Sequence, residues 1–310
     1  MVIFMDKIYD VIIVGSGVAG LGAAMYAGRL GMKTLVIGDA PGGTITTTNI
    51  VENYPGFKKV TGQELADNLR EHALEYKDFV EIKDSRVEKI TSGDLFSVKA
   101  DQEYKTKSVI FATGTKWREL DVPGSVEYKN KGVHYCALCD GFFYRGKTTC
   151  IVGGSDSAAK DALVLAEHAS KVYIIYRRDK IRAEPPNAKR VAESKNIEII
   201  YSTNITEIKG NQQKGVTSVI LDKPFNGSNE LPMEGVFVAI GHIALSDVAK
   251  DVGVELNEKG EIKINRKSET NVPGFFAAGD VCDTHFKQAI TGVAEGVTAA
   301  YSAYEYVGSK

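Results

Sequence analysis

Residues 9–20 read Tyr9-Asp10-Val11-Ile12-Ile13-Val14-Gly15-Ser16-Gly17-Val18-Ala19-Gly20, an apolar run that breaks on glycines spaced G-x-G-x-x-G. An unbroken apolar run of this length predicts a strand buried on both faces of a parallel sheet. Small residues then dominate a stretch of helical character through Ala23, Ala24, Ala27 and Gly28, and residues 33–37 predict a second strand. Strand, glycine loop, helix, strand is the context in which such a loop binds a dinucleotide. Gly15 permits the tight turn, Gly17 lets backbone approach a pyrophosphate, and Gly20 lets helix and strand pack closely. The helix N-terminus adds N–H donors and a partial positive charge. A glycine-rich turn without a ligand is the plain alternative, and the flanking pattern argues against it.

The device occurs twice. Thr148-Thr149-Cys150-Ile151-Val152 enters Gly153-Gly154-Ser155-Asp156-Ser157-Ala158, followed by a helical run through Ala162, Leu163, Leu165 and Ala166 and a strand at residues 171–176. Ser155 stands where the second glycine is expected. Its side chain crowds a pyrophosphate, although its hydroxyl can donate to a phosphate oxygen. The second strand leads into Tyr176-Arg177-Arg178-Asp179, with Arg182 nearby. An acidic residue here would bind ribose hydroxyls, whereas arginines accommodate a 2′-phosphate. This copy therefore suits NADPH over NADH, with a solvated basic turn as the alternative. The first copy instead ends Val36-Ile37-Gly38-Asp39. With Asp39 placed for an adenosine ribose and no arginine cluster, it suits FAD.

Two further apolar segments end in glycine turns. Ser108-Val109-Ile110-Phe111-Ala112-Thr113-Gly114 precedes the second copy, and Pro273-Gly274-Phe275-Phe276-Ala277-Ala278-Gly279-Asp280 follows it. The economical architecture is α/β, with two Rossmann-like domains, the second inserted into the first. The expected boundaries are a discontinuous FAD-binding domain, 1–117 with 245–310, and an NADPH-binding domain, 118–244.

The inserted domain contains Tyr135-Cys136-Ala137-Leu138-Cys139-Asp140-Gly141-Phe142-Phe143. Cysteines at this spacing can close a small disulfide ring, and beside Rossmann units they favour redox exchange. Half of a zinc site is the competing reading, but it needs a second close Cys or His pair. Cys150 and Cys282 do not provide one, and the histidines are scattered. Cys150, within an apolar run, and Cys282, after a Gly-Asp turn, read as core residues. Asp140 adjoins the second thiol. Burial of a carboxylate favours its protonated form, so it fits a proton donor and acceptor; a turn-forming Asp-Gly pair is the alternative. His134 is close enough to act as a base, but its expected role is an incidental solvent-facing histidine.

The remaining bulk properties exclude other classes. A length of 310 residues suits about two domains. A net charge of −2, with no long basic run, gives no electrostatic case for nucleic acid. No apolar stretch approaches a membrane span. Residues 1–5 lack the features of a signal peptide and read as a frayed end, so a cytoplasmic location is expected.

The Cys136-to-Phe143 segment is similar to the C-A-T-C-D-G-F-F stretch of low-molecular-weight thioredoxin reductases, and the resemblance extends over nearly the whole chain. Residues 42–48 and 51–56 resemble that family's flavin-contacting loop, and residues 177–184 its NADPH phosphate site. Residues 238–242 resemble its return to the flavin domain, and 278–281 with 287–291 its closing flavin motif. The resemblance implies a homodimer that passes electrons from NADPH through FAD and a Cys136–Cys139 disulfide to thioredoxin. It implies FAD contacts from Gly15, Ser16, Gly17, Val18, Ala19, Gly20, Asp39, Gly42, Gly43, Thr44, Asn53, Val87, Ala112, Thr113 and Gly114. Gly279, Asp280, Lys287, Gln288 and Ala289 would close the flavin site. NADPH contacts would come from Gly153 through Ala158 and from Arg177, Arg178 and Arg182. Cys139 would be the flavin-side sulfur, Cys136 the attacking thiol and Asp140 the proton carrier, with the inserted domain swinging between two orientations.

Three departures stand out: Ser155, Thr44 where glutamine is common, and Ile243-Ala244-Leu245 in place of S-P-N. The alternatives are a flavin dithiol reductase or oxidase using ferredoxin, a deazaflavin or oxygen, and a non-catalytic flavin redox sensor. An alkyl hydroperoxide reductase flavoprotein would need an added N-terminal thioredoxin-like domain.

Overall fold

The computed structural model describes residues 7–48, 51–211 and 213–309. The expected frayed end, residues 1–5, lies outside them. The chain divides into two compact units, residues 1–116 with 243–310 and residues 117–242. The sequence reading draws the crossings slightly later, at 117/118 and 244/245.

The first unit opens with β1 (Ile8–Val14), α1 (Val18–Arg29), β2 (Thr34–Ile37), α2 (Gly62–Leu74) and β3 (Val80–Lys83). It continues through β4 (Lys89–Thr91), β5 (Phe96–Lys99) and β6 (Glu103–Phe111) to the crossing strand β7 (Thr115–Trp117). The second unit holds β8 (Val133–His134), the single turn α3 (Ala137–Asp140), β9 (Thr148–Val152), α4 (Asp156–Ala166), β10 (Lys171–Tyr176), α5 (Pro185–Glu193) and β11 (Ile197–Tyr201). After these come β12 (Ile205–Asn211), β13 (Gly215–Phe225), β14 (Ser228–Pro232) and β15 (Gly235–Val238). The chain returns through β16 (His242–Ala244), which pairs with β7, to α6 (Asp247–Lys250), β17 (Phe275–Ala277) and α7 (Ala289–Gly308).

In the first unit the sheet order is β3-β2-β1-β6-β5-β4, and β17 also pairs with β6. β1 lies parallel between β2 and β6, with Val14 opposite both Ile37 and Phe111. Period-2 alternation divides the apolar residues of β1 between two cores. Ile12 and Val14 join one, while Val11 and Ile13 face alanines of α1 and α7 in the other. Close helix approach explains the small residues there: a Cβ on Gly296 would fall 2.1 Å from the Ala19 carbonyl oxygen.

The second unit repeats the plan. Its five strands run in the order β11-β10-β9-β15-β8, all parallel. An antiparallel sheet of β12, β13 and β14 accompanies it. In both units a central strand ends in a glycine loop at the carboxyl edge, where ligands bind open α/β sheets.

Candidate active site

The first loop is shaped by contacts that exclude side chains. Gly15 has φ of 111°, and a Cβ there would lie 2.3 Å from the Ala112 carbonyl oxygen. A Cβ on Gly20 would lie 1.9 Å from the Gly15 oxygen, which fixes helix against turn. Gly17 is the N-cap of α1 and no side chain caps that helix. Its first-turn N–H groups are thus left for another acceptor. Ser16 Oγ is buried with no partner among the described residues, an arrangement that costs free energy unless a ligand supplies one. Gly42 donates its N–H to the Ser16 carbonyl at 2.9 Å, laying the Gly42-Gly43 turn beside Gly17. Thr44 is exposed in the 3-10 turn that follows, and Asp39 is exposed after β2. Ala112, Thr113 and Gly114 run out of β6 alongside. Val87 is packed in the core, so its backbone is what it can offer a ligand.

The chain's last segment carries the rest. Gly279 has φ of 80° and donates its N–H to Glu295 at 2.8 Å. Glu295 also accepts from Thr284 at 2.6 Å, and burial pushes its carboxyl up despite those bonds. Lys287 Nζ binds Glu261 Oε1 at 2.6 Å and the Asp280 carbonyl at 2.7 Å. Gln288 is the N-cap of α7, forms a capping box with Thr291, and accepts from Asn53 Nδ2 at 3.0 Å; Ala289 opens the helix. Sequence reasoning missed Glu261 and Glu295. Only tertiary proximity gives these carboxylates their roles, so no local pattern marks them.

The second loop makes the same turn, with Gly153 at φ of 145° and a Cβ position 2.4 Å from the Ala239 oxygen. Gly154 lies against the ring of Tyr176, whose hydroxyl is buried without a partner among the described residues. Ser155 differs from Gly17. It is the N-cap of α4, and its Oγ accepts the Ala158 N–H at 3.3 Å. Asp156 Oδ1 accepts from the Glu184 N–H at 2.8 Å and Asn187 Nδ2 at 2.9 Å, while Lys160 binds Oδ2 at 2.8 Å. Ser157 follows in the first turn. Arg182 donates its N–H to the Gly154 carbonyl at 2.7 Å. Arg177, Arg178 and Arg182 are exposed, and none has an acidic partner among the described residues.

Cys136 and Cys139 form a disulfide with Cα atoms 5.3 Å apart. Cys136 caps α3, and its sulfur accepts the Cys139 N–H at 3.2 Å. This amide is placed to stabilise a thiolate once the bond opens. Leu138, Phe142 and Phe143 are exposed around the pair. His134 departs from its expected solvent-facing role. Its side chain is 11% exposed, with Nδ1 3.4 Å from Asp140 Oδ2 and Nε2 2.7 Å from the Tyr144 hydroxyl. Cys150 and Cys282 are free and buried, and burial pushes both thiols up, as inert core residues require. No group of His, Cys, Asp or Glu among the described residues is disposed to hold a metal. Nor is any described helix long and apolar enough to cross a membrane.

The family described as pyridine nucleotide-disulphide oxidoreductase matches residues 9–296. The chain belongs to that family. It is 38% identical to the thioredoxin reductase of Bacillus subtilis, covering 97% of this chain and 96% of that protein. It is similar to the crystal structure of thioredoxin reductase from Streptococcus pyogenes, with a TM-score of 0.90 and 36% identity, covering 98% of this chain and all of that one. An alkyl hydroperoxide reductase subunit of Pseudomonas aeruginosa is 36% identical over 96% of this chain, which spans only 58% of that protein. Within the pyridine nucleotide-disulphide oxidoreductases, then, this is a chain of low-molecular-weight thioredoxin-reductase type. Membership implies FAD and NAD(P)H. The uncapped helix and orphaned Ser16 hydroxyl suit the phosphates and hydroxyls of FAD. The exposed arginines and the Tyr176 hydroxyl suit NAD(P)H.

Proposed function

We propose that the protein reduces the disulfide of thioredoxin with electrons from NADPH, through FAD and the Cys136–Cys139 pair. The observation that carries this reading is the Cys136–Cys139 disulfide at the head of α3, with Asp140 next in the chain, inside a unit that also carries a glycine loop and three exposed arginines. Bound FAD supplies the relay of an electron pair between nicotinamide and disulfide.

The residues named above divide the work. Gly15, Gly17 and Gly20 bring backbone up to the FAD pyrophosphate, with Asp280 and the Asn53–Gln288 pair as further polar contacts. The N-terminus of α7 lends partial positive charge where a flavin gains electrons. Arg177, Arg178 and Arg182 bind the 2′-phosphate that distinguishes NADPH. The electron pair opens the disulfide to two thiolates, and that of Cys139 takes up a proton. The Cys139 amide holds Cys136 as the reactive thiolate, and Asp140 moves the proton. Cys136 then attacks the partner's disulfide, and Cys139 resolves the mixed disulfide. The exposed apolar ring of Leu138, Phe142 and Phe143 suits docking of a small protein. The protein acts as a cytoplasmic homodimer in this reading.

Anaerobic titration of the yellow protein with NADPH and with NADH, followed by oxidised thioredoxin, tests the proposal. NADPH should bleach the flavin at lower concentration than NADH, and thioredoxin should restore the colour. One observation favours a second reading, a flavin dithiol reductase or oxidase served by ferredoxin, a deazaflavin or oxygen: Ser155 caps α4 where a pyrophosphate needs free N–H groups. Bleaching by one of those donors but not by NADPH would establish it. Unchanged thioredoxin turnover in Cys136→Ser would instead leave a flavin redox sensor.

A further inference from the structure

We propose that His134 is a positioning residue for the proton chemistry of the dithiol, pairing with Asp140 through Nδ1 while Tyr144 fixes its ring through Nε2. The inference rests on the reading of Asp140 as the proton carrier of the Cys136–Cys139 pair.

The imidazole is held on every side. β8 pairs in parallel with β15, and His134 stands opposite Phe237. Directly opposed residues of a parallel pair project to one face, so the imidazole stacks on the Phe237 ring, with centroids 5.2 Å apart and planes 29° apart. Tyr144 meets the imidazole edge-on at 5.4 Å and Phe237 at 5.2 Å. Rotation of the histidine is therefore blocked by packing, and its two nitrogens point at two polar groups.

Those groups suit one tautomer. Burial pushes the Tyr144 phenol up, with the charges of Asp140 and Glu234 adding to it, so the phenol keeps its proton. Such a phenol can donate to Nε2 across 2.7 Å. A neutral imidazole accepting at Nε2 carries its own proton on Nδ1, which faces Asp140 Oδ2. The 3.4 Å separation there is ion-pair distance and long for a hydrogen bond, as catalytic contacts often are before substrate arrives.

Other ionisable groups lie around this chain of three. Glu234 accepts the Thr148 N–H, Lys147 Nζ sits 5.2 Å from the Tyr144 ring centroid, and His168 meets Phe142. Asp161 lies on α4, the helix packed against α3, and burial pushes its carboxyl up to about 7. A test must separate Asp161 from Asp140.

The full-length protein is reduced with dithionite, desalted without oxygen, and alkylated with iodoacetamide at a series of pH values, with mass spectrometry reading Cys136 and Cys139. The rate should rise with pH as each thiol ionises, and Asp140→Asn should move that rise to lower pH by removing a negative charge beside the thiolates. His134→Ala should displace that rise in the same sense as Asp140→Asn, because the carboxylate loses the side chain that holds it in place. His134→Asn, whose amide N–H can replace Nδ1–H, should return it most of the way. His134→Gln, whose amide reaches the Nε2 position instead, should behave like His134→Ala. The Asn–Gln contrast therefore serves if the alanine variant fails to fold. In an Asp161→Asn background the shift should persist. Superimposable wild-type and His134→Ala curves, equal shifts in His134→Asn and His134→Gln, or loss of the shift with Asp161 would overturn the proposal. Failure of thioredoxin to reoxidise the reduced wild type would overturn the thioredoxin reading alone, because the alkylation needs neither NADPH nor thioredoxin.

Discussion

At Gly15 and at Gly153 the chain makes the same turn: a positive φ, with a carbonyl oxygen where a Cβ would stand. Beyond that turn the two loops separate. Behind the first, α1 starts on Gly17 with no cap, beside a buried hydroxyl that has no partner among the described residues. Behind the second, α4 starts on Ser155, which satisfies one N–H, and Asp156 gathers three donors of its own. A side-chain cap is worth about 1 kcal/mol, roughly fivefold in affinity. One fold thus supplies both a loop whose first helical N–H groups are left open and a loop partly closed on itself. One residue, Gly17 against Ser155, makes much of that difference.

The largest test concerns the packing that both loops need. Gly20→Ala drives a methyl into the Gly15 carbonyl, 1.9 Å away. Position 158 holds the corresponding place in the second loop, where an alanine is already buried. Gly20→Ala is expected to cost about 3 kcal/mol in urea unfolding. Ala158→Gly should cost only about 1 kcal/mol. Equal costs would show that the loops are packed alike after all.

Exchanging the caps sharpens the contrast more directly. Gly17 has φ of −75°, and its Cβ position meets nothing nearer than 3.7 Å, so Gly17→Ser is expected to fold. The serine would occupy an N–H otherwise free for the cofactor, and FAD affinity of the apoprotein should fall about fivefold. Fluorescence titration measures it; wild-type affinity would remove the cap from the explanation. In the opposite direction, Ser155→Gly should raise NADPH affinity by up to about tenfold at a cost of a few tenths of a kcal/mol in stability. If calorimetry shows weaker binding instead, the Ser155 hydroxyl serves the nucleotide and not the helix.

This contrast marks where the sequence is readable. Period and glycine spacing locate β1, α1, β9, α4 and β10, because apolar alternation and turn chemistry act over a few residues. Ser155 is visible as a departure, but whether its hydroxyl turns to a phosphate or back to Ala158 depends on loop geometry. His134 reads as solvent-facing because nothing near it in sequence announces Phe237, which reaches it only through the pairing of β8 with β15. Glu261 and Glu295 were hidden for the same reason. Their acceptors support Lys287 and Gly279 from 26 and 16 residues away in the chain.

The smallest test uses acid. The first turn of α1 has no acidic residue, whereas α4 has Asp156. Lys160 first, then Asn187 and the Glu184 amide, pull that carboxyl from its ordinary 3.8 to about 2. A depressed carboxyl contributes stability that is complete above its ordinary value and is lost as pH falls through its folded value. Asp156→Asn should therefore be less stable than wild type near neutrality, and the two should converge as pH drops from about 4 to about 2. Solvent screens a partly exposed carboxylate, so the gap should be about 1 kcal/mol or less. Thermal unfolding of both proteins across that range measures it. A gap that stays constant in acid would assign the stabilisation to the hydrogen bonds alone, which an asparagine oxygen keeps only in part. A gap that closes would show that the second loop already holds one negative charge where a nucleotide must bring its own.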